Sequence, residues 1–313
     1  MRTGSARIPN TRGWGLVLAF IAACISGVAI FVNAEYVAKV EDATVYTTGK
    51  NAIAAAVLLA ILFATNARRS EAPREPIPAP KRAGLIALGA IGGSVPFILF
   101  FEGLQRSGSP VQAGFIHKTL IVWVTLLALP ILHERLTRLH GAAIALLLVG
   151  QASLVDELGS LQLDAGGIMV LAATLLWSIE FVLAKHLLGS FRSPVVAAAR
   201  LGIGLVFLGA YVLATGRADE FALLTSEQWT WMIVTGVILA AFVASWFAAL
   251  AHAQAVDVTA MLVFGQVVTS TLTSVIAGAS IRADLLGLGL ITIGVIAAAG
   301  AAMRTRVAVP GTP

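Results

Sequence analysis

The chain has 313 residues, 58% of them apolar and only 12% charged, with a mean hydropathy of +0.91, far outside the range of soluble domains and the mark of an integral membrane protein. The net charge of +5 does not point to nucleic acid, because the basic residues lie in short loops between apolar runs and form no stripe with interleaved aromatics. A single cysteine, Cys24, lies within an apolar segment and excludes an intramolecular disulfide.

The N-terminal "MRTGSARIPNTRGWGLVLAF" has the basic flank of a secretion signal, but the apolar stretch behind it is about 20 residues long and predicts a retained first helix. That first span is placed at 14–36, and nine more follow at 46–65, 84–104, 111–132, 141–155, 166–186, 194–215, 229–251, 258–278 and 285–303, the fifth being short. Connections are a few residues each and leave no room for a soluble domain. The exception, "NARRSEAPREPIPAPKR" at 66–82, is rich in proline and charge and predicts a stiff, unpacked linker. Lysine and arginine set the orientation. The N-terminal segment, the linker, the 133–138 turn, the 185–192 hairpin and the tail after 303 hold fourteen of them, while the alternate loops hold only Lys39, Arg106, Arg217 and Arg282. Both termini are therefore expected in the cytoplasm of a cell-membrane protein. Trp229 and Trp231 then fall at the outer interface and Trp14 at the inner one.

Ionisable residues deep in a span cost about 2.5–3.5 kcal/mol each on insertion scales, so each needs a partner or a wet cavity. Lys50 lies a few residues below the outer surface, where its stem reaches water. Glu102, near the outer end of the third span, has Arg106 at i+4 and also lies within reach of His117 or Lys118. In "GFIHKTLIVW" (114–123), Lys118 is eight residues past Pro110, roughly 12 Å below the edge of a core about 30 Å thick, too deep for easy snorkelling. Two readings stand: a buried pair satisfied by Glu102 or by carbonyls, or a midplane substrate site. The second takes His117, Lys118 and Thr119 as substrate-binding, with Gly114 leaving space one turn back, Glu102 as a countercharge, Trp177 as lining and Gln266 as the counterpart of Thr119. Glu134, with Arg138 at i+4, predicts a clamp at the fourth turn. Glu180 and Arg200 each lie about ten residues from the hairpin centre at 189–190, an equal depth that predicts a salt bridge, either structural or a proton-loading carboxylate with its switch partner. The run "GAIGGSVPF" combines Gly89-x-x-x-Gly93, a close-packing motif, with Pro96, which frees a carbonyl and permits a kink. Trp177 and Trp246 read either as cavity lining or as plain packing.

Internal similarity decides the architecture. "TTGKNAIAAAVLLA" (47–60) aligns with "AAARLGIGLVFLGA" (197–210), so that Lys50 and Arg200 coincide. Five spans per repeat is odd, and the second copy must therefore enter the membrane upside down. The expected fold is an all-α membrane protein of ten helices in two inverted five-helix repeats, 14–155 and 166–303. "TLLWSIEFVLAKHLL" (174–188), Arg200 and above all "LPILHERLTRLHGAAIALLLVG" (129–150) resemble the EamA-like domain of the drug/metabolite transporter superfamily. The resemblance covers nearly the whole chain and implies two five-helix repeats, with a Gly-Glu-Arg-Leu-like turn after the fourth helix. Two departures stand out: His133 replaces the usual glycine before Glu134, and the matching "AGASIRADLLGLGL" has no glutamate.

The rival functions fare worse. "HERLT" lacks the second histidine of His-Glu-x-x-His, because Thr137 stands in its place, and no Gly-x-Ser-x-Gly occurs, so an enzyme is not expected. Five scattered histidines and one cysteine give no metal site, and neither a cofactor nor a Walker motif is present. A channel or structural membrane subunit is the other alternative, against which the inverted repeat argues. The expected activity is secondary transport of a small polar metabolite, with efflux implied by the resemblance and an anionic substrate and proton coupling left open. The expected partners are that small molecule and the lipid bilayer, not nucleic acid; a homodimer is left open.

Overall fold

The structure, a computed structural model, describes residues 11–37, 42–67, 77–107, 110–155, 163–278, 280 and 284–304, and every regular element among them is a helix. They are α1 (Thr11–Val32, continued by a π turn at Asn33–Val37), α2 (Ala43–Ala67), α3 (Ala79–Gly93), α4 (Val95–Arg106), α5 (Pro110–Lys118), α6 (Leu120–Leu132) and α7 (Arg138–Ala152). There follow α8 (Ala165–Leu188), α9 (Ser193–Ala214), the single turn α10 (Glu220–Leu223), α11 (Ser226–His252), α12 (Ala255–Leu262), α13 (Gly265–Ala277) and α14 (Leu285–Arg304).

Among the described residues, 9 stretches are long and apolar enough to cross a membrane; α3–α4, α5–α6 and α12–α13 each make one crossing from two helices. The expected fifth span departs from this. Its helix, α7, starts at Arg138 and has 15 residues, about 22 Å against a core of about 30 Å. The early start comes from a capping box, in which Thr137 accepts the His140 backbone N–H and the His140 ring accepts that of Thr137. The 66–82 linker is also shorter than read, since α2 runs on to Ala67 and α3 begins at Ala79. Residues 68–76 of it, and 156–162 of the loop between the repeats, lie outside the described residues.

Burial runs as lipid demands. Phe63, Leu213, Val275 and Ile296 point outward, while alanines such as Ala19, Ala22, Ala54 and Ala143 fill the interior and let helices approach closely. Packing partners come in pairs related by exchange of the two halves. α1 lies on α11 as α8 lies on α3–α4, α3 packs on α9 as α11 packs on α2, and α1 meets α12–α13 as α8 meets α5–α6. The contacts α2 with α9, α6 with α12 and α7 with α14 map onto themselves. Two glycines mark equivalent close approaches in the two halves. A Cβ on Gly93 of α3 would strike the Arg200 carbonyl and come within 3.0 Å of the Gly204 Cα on α9, while one on Gly236 of α11 would come within 3.0 Å of the Lys50 carbonyl on α2. Lys50 and Arg200 thus occupy equivalent turns, each lying against a glycine of the opposite half.

Candidate functional site

Three crossings are interrupted. At Ser94 the chain leaves the helical region, and Pro96 brings no N–H to the Gly92 carbonyl four residues back. The indole of Trp177 donates to that carbonyl instead, at 3.3 Å. At Thr119 the backbone turns through a tighter 3.1 Å bond from Thr119 N–H to Ile116 O, and the hydroxyl of Thr119 donates to the same carbonyl at 2.6 Å. The equivalent break lies at Val263–Phe264, again through i to i+3 bonds. α6 and α13 both have 13 residues and both end in a left-handed residue, His133 and Gly278. Aligned on those features, Thr119 faces Phe264 and Gln266 corresponds to Ile121, two residues from the register drawn from sequence.

His117 and Lys118 sit at the end of α5, directly before the Thr119 break. The His117 ring stands at steep angles to Trp177 and Phe100, with centroids 4.9 and 5.3 Å away, and its buried Nδ1 has no hydrogen-bond partner among the described residues. Lys118 makes no hydrogen bond or ion pair there, and the carboxylate whose charge reaches it is Asp284. Asp284 closes a cleft of about 180 Å³ lined by Gln266, Thr269, Ser270, Thr273 and Ser274 of α13. Those hydroxyls recur at i, i+3 and i+4, so they share one face of the helix. Of the residues expected to bind substrate, His117 and Trp177 come together, Thr119 forms the break, and Gln266 joins Asp284 in the cleft.

Glu102 goes elsewhere. It pairs with Arg106 at 3.0 Å, as one of its two expected contacts, and with Arg217 at 2.9 Å, and it accepts from the Tyr211 hydroxyl at 3.3 Å. It is therefore not paired with Lys118 or His117, because Arg217 of the turn after α9 holds it at the bundle end, with Asp42 as a second partner at 3.4 Å.

Glu180 and Arg200 form the expected ion pair in the interior. Arg200 Nε donates to one carboxylate oxygen and Nη2 to the other, and the rings of Phe97 and Trp246 lie 5.8 and 5.3 Å from the guanidinium. Trp246 is fully buried against Phe181, Phe242 and Phe247. Lys50 is half-buried, its ammonium 5.8 Å from the centre of the Tyr46 ring.

Glu134 does not clamp Arg138. Its two carboxylate oxygens accept the backbone N–H groups of Ala255 and Val256, at 2.5 and 3.1 Å, so it caps the N-terminus of α12, where the helix dipole favours a negative charge. Burial pushes its carboxyl above the ordinary range, opposed by the two N–H bonds and by the charge of Lys185. Lys185 in turn donates to the carbonyls of Leu250 and Ala253 at the end of α11, 2.6 Å each. The α11–α12 joint is held by a cation on its carbonyl side and an anion on its amide side. Sequence reasoning placed Lys185 among the loop cations and began the ninth span one residue after Asp257, which accepts from Arg12 at 2.7 Å and lies 3.1 Å from His140 Nε2. It also passed over Asp284, although the spacing of "QVVTSTLTS" marked the hydroxyl face beside it.

A helical bundle of apolar crossings, two halves packed by exchange, and broken helices carrying charge beside a polar cleft define the class: a multi-pass membrane protein of tandem-repeat, transporter type. The chain matches the model of the EamA-like transporter family over residues 13–155 and again over 164–299, and it belongs to that family, within the drug/metabolite transporter superfamily. A search of curated proteins finds no match. A solved crystal structure with 20% sequence identity, over 92% of this chain and 98% of its own, superposes with a TM-score of 0.70 and shares the fold.

Proposed function

We propose that this chain is a secondary transporter that binds a small polar metabolite at the Thr119 break, an anionic group of the substrate resting on Lys118. The observation that carries this reading is the Lys118 ammonium in mid-crossing, unpaired among the described residues, with Asp284 of the hydroxyl-lined cleft within range of its charge. Asp284 lines the polar cleft and Lys118 lies within range of its charge, a cation and an anion that favour a substrate that is itself dipolar. His117 lines the aromatic side of the site, packed against Phe100 and Trp177. The exchange-related packing supports two inverted repeats, with α7 completing ten crossings, and the excess of basic residues at one end supports cytoplasmic termini in the cell membrane. Export is the proposed direction, as the resemblance implied. The buried Glu180 is the carboxylate best placed to couple it to protons.

The test is Lys118→Met, which keeps most of the bulk and removes the charge. In proteoliposomes it is expected to abolish uptake and counterflow of anionic and zwitterionic metabolites while thermal stability stays at or above that of the wild type. Normal transport, or a variant that fails to fold, makes Lys118 a structural residue and removes the anion from the substrate's description.

A further inference from the structure

Two polar clusters close opposite ends of the bundle, and each ties one half of the chain to the other. At the end where α1 starts, Asp257 of α12 joins Arg12 and His140, while Arg12 also donates to Gln254 at 2.8 Å. The Thr137 backbone N–H lies 3.0 Å from His140 Nδ1. An amide only donates, so Nδ1 holds a lone pair and the ring proton is on Nε2, where it is donated to Asp257. Glu134 and Lys185, on the neighbouring turn and on α8, hold the adjoining α11–α12 joint. At the opposite end Arg217 spans Asp42 and Glu102.

The two clusters differ in burial. The side chains of Asp257, His140 and Arg12 are 0%, 2% and 12% exposed, whereas Glu102, although buried at 7%, is held by Arg217 and Arg106 at 28% and 58%. Exposed ion pairs contribute little, while a buried one broken on one side leaves an uncompensated charge. The α1-starting end is therefore the more firmly held of the two. α12–α13 runs away from it, which places the cleft at Asp284 toward the Arg217 end.

We infer that Asp257, shared between Arg12 and His140, is the latch that holds the two repeats shut at the α1-starting end, and that this contact must release before the substrate cleft opens to that side. The inference rests on the transporter reading for its meaning, but its test needs no substrate. In a Cys24→Ser background, Ala255→Cys reports on the latched end and Thr44→Cys on the opposite end, both positions being buried. Asp257→Asn is expected to speed maleimide labelling at position 255 about tenfold, a shift of about 1.4 kcal/mol in the opening equilibrium, and to leave position 44 unchanged or slower. Arg12→Gln, which removes a single partner at the rim, is expected to move the same reporter in the same direction by less, and it carries the test if Asp257→Asn does not fold. Equal acceleration at both positions makes the cluster a general support of the fold, and no acceleration at 255 removes the latch. Either result overturns the inference, whether or not transport is found. One-ended labelling together with failed transport of every metabolite tried keeps the latch and sinks the transporter reading instead.

Discussion

Glu180 and Arg200 answer each other's charge in a place with little else to do so. Two guanidinium nitrogens donate to the carboxylate, Phe97 and Trp246 flank the guanidinium, and a Cβ on Gly92 would collide with the carboxyl carbon. Arg200 Nη1 and Trp246 Nε1 remain without partners among the described residues, so the pair is not fully compensated. Removing one member of such a pair costs about 3–5 kcal/mol, whereas replacing both by apolar residues of similar volume is often neutral or stabilising. Arg200→Met or Glu180→Met alone is therefore expected to lower the thermal unfolding temperature sharply, and the double variant to recover it, in calorimetry or dye-monitored melting of the detergent-solubilised protein. If Glu180→Gln is as stable as wild type and loses only the pH dependence of transport, the carboxylate is a proton site. This contact was legible from sequence because both residues sit at one depth in one hairpin. The aromatic flank was not, since Phe97 and Trp246 come from α4 and α11, and no local spacing relates them to Arg200.

At the scale of the helix, apolar length located the crossings, but their interruptions and ends obey backbone chemistry that hydropathy does not report. The breaks at Thr119 and at Val263–Phe264 carry no proline, and a single 3₁₀ turn suffices to make them. Thr137 with His140 forms a capping box in which an imidazole stands where glutamate is usual, so the start of α7 was read three residues late. Glu134 has Arg138 at i+4, yet its partners are two amides more than a hundred residues away. The departure that sequence did expose is His133. It ends α6 with φ +52° where the equivalent Gly278 ends α13 with φ +73°, and its side chain is exposed and makes no hydrogen bond that the substitution would remove. A non-glycine residue in the left-handed region costs roughly 1–2 kcal/mol, partly offset by the extra freedom of glycine when unfolded. His133→Gly is thus expected to raise stability by about 0.5–1 kcal/mol, seen as an unfolding temperature a few degrees higher; a lower one shows that the imidazole makes a stabilising contact at this turn.

For the whole molecule, the tandem repeat and the charge bias were legible because both depend on counting along the chain, whereas the exchange of packing partners needed three dimensions. The weak link between them is α7, apolar but too short to count as a crossing. Its neighbours decide what it must do. α7 starts beside Asp257, through His140, and α8 ends at the same end of the bundle, where Lys185 holds Leu250 and Ala253. Since α8 is a full crossing, the chain has to reach the far end between them, and α7 lies along α14 with Gly150 against Gly287 and Leu147 against Gly294. Cysteines at Ala79 and Ser226, both exposed at helix starts, separate the alternatives in a Cys24→Ser background. Between those positions lie α3–α4, α5–α6, α7, α8 and α9, an odd number of crossings only if α7 is one of them. An impermeant maleimide is expected to label position 226 in intact cells and position 79 only after permeabilisation, as the basic residues require of a cytoplasmic N-terminus. Labelling of both from one side removes α7 from the crossings and with it the inverted repeat, while the opposite pair of labels keeps the repeat and turns the protein over in its membrane.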